Sequence, residues 1–134
     1  MSYSGCLVYL PPDEDLATLA EWLGEKLTSA KTKVAAGAIE IVFSNGAGIR
    51  LALDQHPCVA EEAKELIARA PAAAKEALRA SNQRLEIVPS DPRTDPDDVY
   101  NELLFVFEAL QARPGCVGLD PFDGSVSFAA ATKG

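Results

Sequence analysis

The chain of 134 residues has one histidine, one tryptophan, one methionine and three cysteines. Each scarcity excludes something. Cys6, Cys58 and Cys116 are odd in number and far apart, which is not the pattern of a secreted disulfide framework. Cys6 and Cys116 lie in apolar runs, where a free thiol acts as a small hydrophobe. His56 and Cys58 supply two metal ligands, whereas a structural zinc needs about four. A Cys–His nucleophile pair would straddle Pro57 at a helix start, a poor arrangement for proton transfer. No catalytic residue, metal or cofactor is expected. No apolar run reaches the ~18–20 residues that span a bilayer. Residues 1–10 lack the basic start and long apolar core of a signal peptide, so a cytoplasmic chain is expected and a membrane partner is not.

Positive charge is also short, with 12 bases against 20 acids and a net charge of −8. Lys26, Lys31 and Lys33 form the only basic patch, and no aromatics interleave with it. Nucleic acid is therefore not an expected partner. The deficit is uneven. Residues 1–90 carry a net of −3, whereas residues 91–124 carry −6. An asymmetry of this kind steers a basic partner towards the acidic region.

What is present reads as one α+β domain over 1–134, with 48% apolar residues. Gly5–Leu10 is a short apolar run closed by Pro11-Pro12, the mark of a buried strand. Asp13-Glu14-Asp15 then places negative charge at a helix start. Leu16, Leu19, Ala20, Leu23 and Leu27 form its apolar stripe, with Trp22 on the flank as boundary core or as a partner anchor. Thr28–Gly37 reads as a connection. Strands follow at Ala38–Phe43 and Gly48–Leu53. A three-residue loop, 45–47, would set Ile41 across from Leu51 and give one clean apolar face.

A helix starts near Pro57 with Val59, Ala63, Leu66, Ile67 and Ala70 inward, and Pro71 splits it from a second piece over Ala72–Ala80. Gln83–Pro89 alternates as a strand. Ser90–Asp98 is a polar loop in which Asp95 caps a helix and Pro96 takes its first position. That last helix is apolar nearly all round, from Val99 to Leu110, so it should be sandwiched or lie at an interface. Cys116–Leu119 and Ser125–Phe128 flank a proline–glycine turn and read as a closing hairpin. The order suggests an antiparallel sheet: a ferredoxin-like βαββαβ core over 1–90, then a third helix and a C-terminal hairpin over 91–134. The alternative is the same elements in another strand order.

Three stretches of the C-terminal third carry a resemblance: Asp97-Asp98-Val99-Tyr100-Asn101-Glu102-Leu103-Leu104, Phe107-Glu108-Ala109-Leu110, and Gly115 through Gly124. An acidic segment leading into an apolar helix, then a strand ending in an Asp-Pro-x-x-Gly turn, resembles bacterial immunity-type and uncharacterised small acidic proteins. The resemblance implies a non-enzymatic inhibitor that blocks a toxin or effector with a basic surface. The expected binding residues are Asp95, Asp97, Asp98, Tyr100, Asp120, Phe122 and Asp123, with Tyr100 and Phe122 as aromatic anchors. A small-molecule-binding regulatory domain is the alternative, and a small enzyme without a recognisable motif comes after it. A homodimer stays open.

Overall fold

The computed structural model describes residues 6–119 and 126–128. Its strands are β1 (Cys6–Leu10), β2 (Ala30–Ala35), β3 (Ala38–Phe43), β4 (Gly48–Asp54), β5 (Gln83–Pro89), β6 (Val117–Leu119) and β7 (Val126–Phe128). Its α-helices are α1 (Leu16–Lys26), α2 (Cys58–Leu66), α3 (Ala72–Ala80) and α4 (Tyr100–Gln111). Single 3₁₀ turns at Ile67–Arg69 and Pro96–Val99 lead into α3 and α4. The described strands form one sheet in the order β2-β3-β4-β5-β1-β6-β7, and every neighbouring pair is antiparallel.

The α+β class and the antiparallel sheet match the sequence reading, but the strand order does not. A ferredoxin-like core is a split βαβ, which would pair β1 with β4 in parallel. Here β4 pairs with β5, and β5 lies between β4 and β1. The reason lies in which apolar residues meet: Leu51 faces Ile87, and Leu85 faces Val8. All four are fully buried on one side of the sheet. The other weighed arrangement, a different strand order, describes the protein, with one strand more than the sequence reading had. β6 and β7 pair antiparallel, while the expected turn, with Asp120, Phe122 and Asp123, lies outside the described residues.

Two further corrections concern the first half of the sheet. Residues 30–35 are an edge strand, not a connection. Lys31 and Lys33 alternate with Thr32 and Val34, and an edge strand needs no continuous apolar run because one side of its ladder is open. Its turn into β3 puts Ala36 at φ 51° and Gly37 at φ 76°, the positive pair demanded by a tight two-residue hairpin.

The β3–β4 register also differs. Ile41 stands across from Ile49 and Ile39 from Leu51, a shift of two residues from the expected pairing. The loop is Ser44–Gly46: Phe43 N–H donates to Ala47 O at 2.8 Å, and Gly46 N–H donates to Phe43 O at 2.9 Å. Gly46 takes φ 92°, as the last residue of such a loop requires. A shift of two preserves the sheet face, so the apolar side stays clean. Glu40 and Arg50 then come directly opposite and pair at 2.6 Å.

One face of the sheet carries the larger core. Ile39, Ile41, Ile49, Leu51, Leu85, Ile87 and Val8 pack beneath Leu19 and Leu23 of α1 and Leu103, Val106, Phe107 and Leu110 of α4. Asp15 caps α1 by accepting from Thr18 N–H at 2.8 Å. On the opposite face, α2 and α3 cover only the end near β1 and β6, where Tyr9 and Val117 meet Val59, Ala63, Leu66, Ala74 and Leu78. Pro71 separates those two helices as the sequence suggested.

Candidate functional site

The described part of the acidic region is built by local side-chain caps. Asp91 accepts from Arg93 N–H at 2.9 Å, and its carboxylate also receives the Arg93 guanidinium. Those bonds hold the Asp91 carboxyl below the usual carboxylate range. Asp95 accepts from Asp97 N–H at 3.0 Å and starts the 3₁₀ turn, with Pro96 next as expected. The turn buries Val99 and hands the chain to α4.

The segment is tied down on its other flank. Ser90 N–H donates to Gly48 O at 2.9 Å, and Ser90 Oγ donates to Glu40 Oε1 at 3.0 Å. Asn45 Nδ2 donates to Glu102 Oε2 at 2.9 Å. The acidic segment therefore rests on the β3–β4 hairpin.

Of the expected binding residues, Asp95, Asp97, Asp98 and Tyr100 come together and are exposed. Asp120, Phe122 and Asp123 lie outside the described residues. Helix α4 buries Leu103, Val106, Phe107 and Leu110, and its other side reaches the surface. Tyr100, Leu104 and Phe105 are 46%, 36% and 51% exposed. Tyr100 and Leu104, four apart, are neighbours on the helix surface, and Phe105 lies about 100° further round the exposed side, with Asp97 and Asp98 before the helix and exposed Glu108 between Leu104 and Phe105. Phe105 also lines a surface hollow of about 350 Å³, with Phe43, Leu27, Lys26 and Glu108. Sequence reasoning placed Leu104 and Phe105 on an apolar helix but made neither a binding residue. The available signal was the helix's excess of apolar residues over what one buried stripe uses.

Trp22 is half-buried and spent between helices. Its Nε1 donates to Ala109 O at 3.4 Å, and Lys26 Nζ at 4.5 Å and the Arg113 guanidinium at 5.2 Å both lie over its ring. Arg113 in turn grips Glu14 at 2.5 Å. Trp22 thus serves as boundary core joining α1 to α4.

A second polar group sits where α2 crosses the sheet. Tyr9 OH donates to Glu62 Oε1 at 3.2 Å. Arg84 bonds the same carboxylate and also Asp54, the latter at 2.9 Å. Burial pushes the Tyr9 hydroxyl up to about 12. His56 accepts from Cys58 N–H through Nδ1 at 3.1 Å, so that nitrogen is committed to the helix start. Cys58 is exposed and Cys116 buried; desolvation raises the Cys116 thiol to about 12, which makes it inert at neutral pH. The side chain of Cys6 lies outside the described residues. No group of three or more metal-ligating side chains occurs among the described residues, and no described helix is long and apolar enough to cross a membrane.

No family model, curated protein or solved structure matches this chain.

Proposed function

We propose that the protein is a non-enzymatic binding module, an immunity-type inhibitor whose acidic C-terminal region meets a basic toxin or effector in the cytoplasm. The observation that carries this reading is the exposure of three apolar side chains of α4, Tyr100, Leu104 and Phe105, beside exposed Asp95, Asp97 and Asp98. Apolar anchors supply affinity when a partner desolvates them. Flanking acids speed encounter and select a basic partner. The caps at Asp91 and Asp95 and the bonds from Asn45 and Ser90 hold the acids in place before binding, so less ordering is lost on association. Asp120, Phe122 and Asp123 extend the same acidic–aromatic chemistry in sequence and belong to the proposal.

The test uses a partner captured from the source cell, with association measured across salt concentrations. Changing Asp95, Asp97, Asp98 and Asp123 to Asn keeps the Asp95 cap, because asparagine also caps helices. The expected result is slower association with a flatter salt dependence. Tyr100→Ala with Phe105→Ala should instead speed dissociation. An unchanged association rate at every salt concentration in the fourfold variant rejects the acidic-surface reading.

A further inference from the structure

We propose that the outer edge of β2 receives an extended acidic segment of another protein as an added antiparallel strand, with two acids seated opposite Lys31 and Lys33. This surface is separate from the exposed side of α4. Among the described residues β2 ends the sheet, so one side of its backbone has no strand partner there.

The ladder shows which groups turn outward. Phe43 N–H bonds Ala47 O across β4, while Ser44 N–H bonds Ser29 O on the other side. Bonding alternates along a strand, so Ile39, Ile41 and Phe43 bond towards β4, and Ala38, Glu40 and Val42 bond towards β2. Their β2 partners are Ala35, Lys33 and Lys31. Thr32 and Val34 therefore direct their N–H and C=O groups to the open edge. Such a row is a template for another strand.

Charge selects the occupant. Lys31 and Lys33 are exposed on one sheet face. Glu40 lies across from Lys33, but its carboxylate is engaged by Arg50 and Ser90. A second copy fits badly. In the registers of greatest overlap, antiparallel β2 strands that keep their faces aligned put Lys31 against Lys33, or a lysine against its own counterpart, and like charges directly opposite repel. An acidic strand reverses that sign.

Residues 31 and 33 bond inward, so an incoming strand meets them as non-hydrogen-bonded pairs, where side chains are closest. The residue between the two acids then faces Thr32, and the one before the first acid faces exposed Val34. The recognised pattern, read from its N-terminus, is apolar, acid, any residue, acid. Beyond the second acid, a hollow of about 420 Å³ lined by residues 28–31 and 42–44 extends the seat.

The test titrates the full chain with a labelled peptide, Thr-Thr-Val-Glu-Thr-Glu-Thr-Thr, and with its counterpart carrying Lys for both Glu. Amide chemical shifts locate the contact. The acidic peptide should bind saturably, moving the Thr32 and Val34 amides most. The Lys31→Glu, Lys33→Glu double variant should weaken it roughly tenfold and turn the preference to the lysine peptide. N-methylating the threonine between the two glutamates should abolish binding without altering the protein. Absence of saturable binding by the wild-type chain, equal affinity for the double variant, or shifts centred on α4 overturns the proposal. So does sedimentation showing a dimer of this chain held through β2.

Discussion

The two faces of the sheet are made by the same strands and put to different uses. Beneath α1 and α4, every odd-numbered position from Ile39 to Phe43 and from Ile49 to Leu51 is buried and apolar, as are Leu85 and Ile87. On the reverse, Lys31, Lys33, Glu40, Arg50 and Glu86 share the β2–β5 half with Val42, which is 53% exposed. Only the β1–β6 end of that reverse face carries a second apolar cluster. Alternation along a strand therefore sorts residues to a face, but the helices decide which face becomes core. Stability should concentrate on one side of β3, β4 and β5.

Neighbouring residues of β5 give the sharpest contrast. Ile87→Ala removes a fully buried side chain from the larger cluster, and should cost about 3 kcal/mol. Val88→Ala, one position along on the reverse face and only partly buried, should cost under about 1 kcal/mol. Denaturant midpoints at unchanged slope measure both. Similar losses at the two positions would break the comparison.

Tyr9 probes the crossing between the covered and open parts of the reverse face. Tyr9→Phe removes the hydroxyl bond to Glu62 and should cost about 1 kcal/mol at neutral pH. Its folded pKa, about 12, lies above the ordinary value of 10.0. The neutral phenol's contribution is therefore complete below the unfolded value and fades as pH rises from 10 towards 12. Cys116 is shifted in the same direction, so wild type and variant should both weaken in alkali, the variant less steeply. Parallel alkaline curves would show that Tyr9 does not contribute.

The smallest expected effect is a gain. Ala36 holds φ 51°, where an L side chain is strained and glycine is not. Ala36→Gly should add roughly 0.5 kcal/mol after the entropy of a freer unfolded chain is counted. A loss on thermal or denaturant unfolding would show that the turn favours its alanine methyl.

Elements with strong periodicity were legible. The Gln83–Pro89 strand, the Pro71 break and the Asp95–Pro96 start all follow from local chemistry. β2 was not, because an edge strand with lysines on one side and a threonine–valine pair on the other lacks an apolar run. Strand order was not legible either. Residue parity tells which face Leu51 occupies, but Ile87 becomes its neighbour only through long-range packing. At the candidate site, the exposure of Asp95, Asp97 and Asp98 could be read from the sequence. That of Leu104 and Phe105 could not, because a helix apolar all round does not reveal which side the sheet will take.

The position of β1 carries a consequence for how the chain is made. β1 is synthesised before the other described strands yet lies between β5 and β6, and Leu10 waits for Gln83 before either ladder can close. The β2–β3–β4 meander needs no such wait, since its pairings are between neighbours in sequence. Local contacts form sooner than distant ones because less loop entropy is lost. Birth order and assembly order therefore diverge: the meander can take shape while β1, with apolar Leu7, Val8 and Leu10, stays unpaired until β5 has left the ribosome.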